Sequence, residues 1–420
     1  MSSEFEQNLE KYAEVILKVG VNLQKGQRLI IKARDFGTSL LDLAPFIELT
    51  VKKAYQLGAR FVEVIWNDPQ LELIRLQHAP RNSFEEFPTW QVDALLEFIK
   101  KGDAGFTILA SDPQFFEDQD PELMTTIIST ALKHYKPVSD LLNQKRATNW
   151  SIITAPTDGW AEKVFPDFPP DKRTAKLWET IFEICRIKYD DPILAWQDHI
   201  NQLATRSKYL NQKQYIALKL VAPGTDLKIG LPKNHIWRSG SMTSQNNIDH
   251  TANIPTEEVF TLPHKEMTEG TVKMTKPLNY KGYLIEDIKM TFSKGKVIEL
   301  NASKGKDFLG KIIETDEGAT QLGEIALVPH SSPISQTGLL FYNSLIDENA
   351  SNHIALGFAF RPSLKKGKEM SDEEFMTAGG NVSLIHIDFM IGSGEMDIDG
   401  ITEDGTTEPI MRKGEWAFEV

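Results

Sequence analysis

Acidic and imidazole side chains that look out of place cluster in the second half of the chain. Glu257 and Glu258 lie in "NIPTEEVF" between Pro255 and the pair Val259-Phe260. Glu324 precedes Ile325 in "LGEIALVP", Glu348 and His353 belong to "LIDENASNHIALGFAF", and His386 and Asp388 sit inside "LIHIDFMI". If the last of these segments is a strand, side chains alternate between faces, so Leu384, His386, Asp388 and Met390 share one side and Ile385, Ile387, Phe389 and Ile391 the other. A carboxylate in such surroundings costs several kcal/mol unless a cation, a hydrogen-bond network or a metal ion compensates it. A satisfied His–Asp core pair answers that need, and so does a metal or catalytic site. Taken singly, Glu257 or Glu258 can cap a turn, Glu324 can start a surface strand, Glu348 can be a solvated loop acid and His353 a satisfied histidine. Converging, the carboxylates would repel one another unless divalent ions lay between them. The set contains no cysteine, and its wide intervals match no local metal motif of the H-E-x-x-H kind.

The elements that must position these residues change character near residue 213. Before it, helix and strand signals alternate. Phe5, Leu9, Tyr12 and Ile16 mark an amphipathic helix over about 4–19 ended by Gly20. "RLIIKA" (28–33) reads as a strand, Pro45 opens a helix running to Gly58, and "RFVEVIW" (60–66) is a second strand. "GFTILAS" (105–111) and "SIITAPT" (151–157) follow, separated by a helix begun by Asp120-Pro121. Strands separated by helices imply a parallel α/β layer structure. The first strand is not followed by G-x-G-x-x-G, so a dinucleotide site has little support.

Helices around 172–188 and 192–208 lead into short strand candidates punctuated by Gly, Pro, Asn and Asp: "QYIALKLV", "DLKIGL", "TVKM", "GYLIEDIKMTFSKGKVIELNA", "GEIALV", "HIALGFAF" and "SLIHIDFMI". Lys294-Gly295 suits a tight hairpin, and one helix over about 305–315 interrupts. The expectation is an α/β N-terminal domain (1–212) and a mainly antiparallel β (α+β, barrel-like) C-terminal catalytic domain (213–420).

Length and charge bound the function. The 420 residues exceed one ordinary core. Acidic side chains outnumber basic ones 59 to 46, for a net charge of −13. That balance argues against nucleic acid as a partner, which needs a basic footprint. Cys185, the single cysteine, lies at apolar helical spacing with Trp178 and Ile181 and reads as a core thiol. The start lacks a basic segment followed by an apolar run, and no stretch of about 18 apolar residues occurs, so the reading is a cytoplasmic protein with no membrane partner.

"NIPTEEVFTLP", "LGEIALVP", "LIDENASNHIALG" and "HIDFMIGSGEMDIDG", in this order, resemble the signature segments of the aminopeptidase T and aminopeptidase S family of dinuclear metallo-aminopeptidases. The likeness extends over essentially the whole chain. By resemblance, Glu258, Glu324, Glu348, His353, His386 and Asp388 hold two divalent ions, with zinc, cobalt or manganese compatible with mixed oxygen and nitrogen ligands. The implied reaction removes N-terminal residues from short peptides by a water activated between two ions. Glu258, or its neighbour Glu257, would carry the proton from water to the leaving amine. The family also implies a homodimer enclosing its active sites. In place of the family's tyrosine in H-x-A-x-G-x-A-Tyr this chain has Phe360, so either another donor such as Tyr342 substitutes or oxyanion stabilisation is weaker. Two other classes use the same ligands: a different dinuclear hydrolase acting on an amide or phosphoester, and a non-catalytic metal-binding protein.

Overall fold

Arg28–Ala33 (β1), Phe61–Ile65 (β2), Ala104–Ile108 (β3) and Trp150–Ile153 (β4) pair in parallel, in the order β2-β1-β3-β4. This is seen in the computed structural model, which describes residues 3–280 and 283–420. Central β1 buries Leu29, Ile30 and Ile31 in succession, as a strand covered by helices on both faces must. The helices that start most sharply share one device. Asp68, Asp120 and Asp191 each accept a backbone N–H of the first turn, and each is followed by a proline that needs no donor partner there. These begin Pro69–His78, Pro121–Ser139 and Pro192–Lys213. The first of them and the helix Thr89–Lys100 lie outside the elements expected from the sequence. The opening helix is α-helical over Ser3–Val15, and its last turn widens, Val21 N–H reaching Ile16 O at 2.8 Å.

The antiparallel second half begins after Lys213, where Gln214 adopts a left-handed conformation with φ of 47°. An eight-stranded sheet runs in space from Lys296–Asn301 through Lys289–Ser293, Thr268–Lys273, Thr225–Gly230, Ala217–Ala222, Asp397–Ile401 and Thr407–Arg412 to Glu415–Trp416. A five-stranded sheet consists of Arg238–Ser239 (β5), Val259–Thr261 (β6), Leu322–Leu327 (β7), His353–Gly357 (β8) and His386–Met390 (β9), ordered β9-β8-β7-β6-β5. Two short ribbons, Leu278–Tyr280 with Tyr283–Ile285 and Ser241–Thr243 with Asp249–Thr251, complete the strands described. Gly282, the first residue of the expected strand "GYLIEDIK", lies outside the described residues. The expected hairpin at Lys294-Gly295 is present, with φ of 49° and 80°, the conformation of a two-residue turn that matches strand twist. A side chain at Gly295 would place Cβ 1.8 Å from Lys265 O, so glycine is required twice over.

Two apolar cores meet across residue 213. One gathers Tyr12, Ile31, Ile108, Trp160, Phe182 and Cys185 with Ile254, Phe341 and Ile346 from the second half. The other gathers Leu220, Ile229, Met290, Ile325, Ile354 and Phe389 with Leu123, Met124 and Ile127 from the helix Pro121–Ser139. Each half therefore contributes side chains to the other's core, which holds the walls of the space between them in place. Among the described residues no helix is long and apolar enough to cross a membrane.

Candidate metal centre

The register of β6–β9 decides which residues share a face. Phe260 pairs with Ala326, Ala326 with His353, and His353 with Met390. One step along, Glu324 pairs with Ala355 and Ala355 with Asp388, while Gly357 pairs with His386. Paired residues in antiparallel strands point to one side. One face thus carries Glu324, His353, His386 and Asp388 over a floor of Ala326, Ala355 and Gly357, and Ile325, Ile354, Ile387 and Phe389 pack into the core behind. The alternation expected for "LIHIDFMI" is the one observed. Small residues opposite the ligating types leave room above the sheet. Gly357 also ends β8 with φ of +109°, and a Cβ there would lie 2.0 Å from Ile385 O. The chain therefore leaves the sheet before Phe358–Phe360, where the apolar pattern of "HIALGFAF" predicts a longer strand.

Glu258 enters from the residue before β6, and Glu348 from a short turn after Ser344–Asp347. Two triads result: Glu258, Glu324 and His353, and Glu324, His386 and Asp388, each offering ligand atoms within 4.8 Å of one another. Glu324 belongs to both. Its Oε1 lies 3.6 Å from His353 Nε2 and its Oε2 lies 3.6 Å from His386 Nε2. His353 Nε2 is also 3.1 Å from Glu258 Oε2, and His386 Nε2 is 3.4 Å from Asp388 Oδ1. Glu348 is buried alongside, its Oε1 accepting from Asn253 Nδ2 at 3.3 Å and Asn349 Nδ2 at 3.4 Å.

Burial pushes Glu348 well above the ordinary carboxylate range and raises Glu324, with neighbouring carboxylates adding to the effect in both. Burial alone would lower His353, but Glu258 and Glu324 hold it well above its usual value. His386 is likewise pushed up to about 9, against burial, by Asp388 and Glu324. Burial would raise Asp388, yet His386 brings it down. The protein thus concentrates carboxylates and demands cationic charge among them.

Two observations test whether a metal fits. Glu258 Oε2 is buried without a hydrogen-bond partner among the described residues, although His353 Nε2 lies 3.1 Å away. Each imidazole also has Nδ1 against a backbone carbonyl, His353 on Ser351 O at 3.1 Å and His386 on Phe358 O at 2.8 Å. A carbonyl only accepts, so both rings carry their proton on Nδ1 and turn Nε2 toward the carboxylates. In neutral rings that arrangement opposes lone pairs, and a cation between them resolves it. The donor set fits a divalent ion.

All six residues line one cavity of about 1030 Å³ between the two halves. Glu257 does not. It turns the other way, pairing with Arg186 through two bonds of 2.6 and 3.0 Å, while Arg186 also meets His199 Nδ1 at 3.1 Å.

The model of the thermophilic metalloprotease (M29) family matches residues 5–416. The chain belongs to the M29 family. It is 44% identical over 416 residues to Aminopeptidase 2 of Geobacillus stearothermophilus, with 99% of each chain covered. It is 42% identical over 414 residues to Aminopeptidase AmpS of Bacillus subtilis (strain 168), again with 99% of each covered. The solved structure of wild-type AmpT from Thermus thermophilus superposes with a TM-score of 0.90 at 40% identity, covering 99% of this chain and 100% of that one. The M29 chain is a metallo-aminopeptidase that acts on peptides with a divalent metal, as the resemblance implied.

Around the M29 site, Phe360 lines the cavity against Phe260, ring centroids 5.8 Å apart, with the Arg146 guanidinium 5.4 Å from its ring. Tyr342 also lines the cavity, with Lys163 Nζ 5.1 Å from its ring and Glu286 and Asp347 as its acidic neighbours. Tyr280 is closer in effect: burial raises its phenol, and its charged neighbours are Arg34 and Asp388. Neither Tyr280 nor Arg34 was singled out from sequence. Tyr280 occupies an unremarkable polar stretch, whereas Arg34 had one available signal, its place just past the end of a parallel strand.

Proposed function

We propose that Glu258, Glu324, Glu348, His353, His386 and Asp388 hold two divalent ions and that the enzyme removes the N-terminal residue of short peptides at this site. The observation that carries the reading is Glu324, which turns one oxygen toward each imidazole and belongs to both triads. The ions would supply Lewis acidity for the scissile carbonyl and lower the pKa of attacking water. The rest falls to the chain. Ser351 O and Phe358 O fix the two imidazoles, and Asn253 and Asn349 hold one oxygen of Glu348. A free carboxylate edge at this end of the cavity receives the substrate α-amine, which restricts cleavage to the first peptide bond. Glu258, with Oε2 free of hydrogen bonds, carries the proton to the leaving amine. Glu257 is unsuited to that task because Arg186 occupies both of its oxygens. With Phe360 lacking a hydroxyl, Tyr280, whose charged neighbours include Asp388, is better suited than Tyr342 to supply part of the oxyanion stabilisation. Residues 213–420 act as the catalytic domain, residues 1–212 close the cavity, and the working unit is a homodimer.

Metal counting tests the assignment directly. Wild type should bind two ions per chain, Glu324→Gln fewer than one, and His386→Ala about one, by elemental analysis after gel filtration. Hydrolysis of leucine p-nitroanilide should stop on chelation and return with metal. Two ions retained by Glu324→Gln would sink the shared-carboxylate reading.

A further inference from the structure

The cavity has a second chemically distinct wall, on the parallel sheet. Its strand order, β2-β1-β3-β4, reverses direction at β1: the chain goes from β1 to β2 on one side and then to β3 on the other. Open parallel sheets bind ligands outside the carboxyl ends of their strands at such a point. Arg34 follows β1 directly, and Ser111 lies just beyond β3; both line the cavity that holds the six candidate ligands.

Arg34 has no hydrogen-bond or ion-pair partner for its guanidinium among the described residues, and the side chain is open to the cavity. The adjacent carboxylate, Asp35, favours the charge of Arg34 through space and makes no hydrogen bond or ion pair with it among the described residues. Asp35 is occupied by Thr38, whose N–H and Oγ1 donate at 3.1 and 2.8 Å, and by a short bond from Ser111 Oγ. Asp35 therefore braces the crossing of the β1 and β3 loops, and the Arg34 guanidinium keeps its hydrogen-bond donors open to the cavity. Burial brings the Arg34 guanidinium below its usual value, against the pull of Asp35 first and then of Glu348 and Tyr280 at the acidic end of the cavity, which favour its charged form.

We propose that Arg34 binds the C-terminal carboxylate of the substrate, making this a site for di- and tripeptides with free carboxyl ends. The proposal rests on the aminopeptidase reading above. A peptide held by its α-amine among the carboxylates presents its opposite charge at the far end, about 3.3 to 3.6 Å farther away per residue. A guanidinium fork donates two parallel bonds to a carboxylate, and such a charged contact changes affinity roughly 10- to 100-fold. The same contact would hold the scissile bond at a set distance from the acidic cluster.

The test compares Leu-Gly with Leu-Gly-amide, and Leu-Gly-Gly with its amide. In wild type kcat/KM should favour the free acid by roughly 10- to 100-fold, mainly through KM. Arg34→Met should bring the acid-to-amide ratio to near one, and Arg34→Lys, which keeps the charge without the fork, should retain part of it. A second measurement needs no turnover. D-Leu-Gly, titrated calorimetrically, should bind wild type more tightly than its amide and lose that advantage in Arg34→Met. Equal handling of acid and amide by wild type, or an unchanged ratio in Arg34→Met, overturns the proposal. Carboxylate-selective binding of D-Leu-Gly by an enzyme that hydrolyses neither Leu-Gly nor leucine p-nitroanilide would overturn the aminopeptidase reading and leave this one standing.

Discussion

At position 360 a single oxygen atom separates this chain from the pattern its family resemblance implies. Phe360 is 8% exposed and belongs to a small apolar patch with Phe260, Ala326 and Met242, beside the row that carries His353. Phe360→Tyr adds a hydroxyl with little change of shape. It should raise kcat on leucine p-nitroanilide about tenfold or more with unchanged metal content, since one oxyanion donor is commonly worth 100-fold or more when nothing replaces it. An unchanged kcat would mean that Tyr280 already fills the role, and a fall in metal content would mean that the ring supports the ligands. Glu258, Glu324, His353, His386 and Asp388, the candidate ligands that the structure groups in two triads, stand out in the sequence because each lies at or within an apolar run, where an unexplained charge is costly, whereas Glu348 comes from a polar loop. Glu257 and Glu258 were equivalent in sequence and are opposite in space. Only the partner waiting on each side, Arg186 behind and His353 in front, separates them.

At the level of strands and turns, the site depends on backbone that only glycine tolerates. Gly357 stands opposite His386, and a methyl group there must push Ile385 away or bend β8. Gly357→Ala should lose about 1–3 kcal/mol of stability and weaken metal binding roughly 10- to 100-fold, because the movement reaches the carbonyl that orients the ring. Competition with a fluorescent chelator measures the second effect; equal affinity would show that β9 holds His386 unaided. The ribbon Ser241–Thr243/Asp249–Thr251 carries a different liability. Burial, assisted by Arg146 and opposed by the Ile248 carbonyl and Asp249, brings His250 down to about 4. The unfolded chain takes up that proton near pH 6.5, so the stability it contributes is complete above that value and is lost as pH falls toward 4. Between pH 7 and pH 4, His250→Asn should lose about 3 kcal/mol less than wild type in urea titrations. Parallel curves would place the proton elsewhere. Most strands were readable from alternation and turn residues, and Asp-Pro pairs start three helices, of which the one at Asp68-Pro69 lies outside the expected elements. The end of β8 was not readable, because apolar residues continue through Phe360 while the conformation of Gly357 stops the pairing.

At the scale of the molecule, the change of pattern matches a parallel sheet in the first half of the chain and antiparallel sheets in the second, but the sharing of cores between the halves was invisible, since periodicity tells which face is apolar and not what covers it. The assembly proposal has a simple check. Sedimentation should give roughly twice the 47.4 kDa of one chain, and folded proteins should resist digestion while short peptides are cleaved; a monomer that digests folded proteins contradicts it. One further property follows from Cys185. Its thiol is fully buried in the core built on the parallel sheet, and burial pushes its pKa up, so it is shielded from alkylating reagents in two ways. Modification must wait until that core opens. With no second thiol to confuse the signal, the chain carries its own clock for rare excursions from the native state: under fast reclosure the labelling rate gives the opening equilibrium, and at high reagent the opening rate itself.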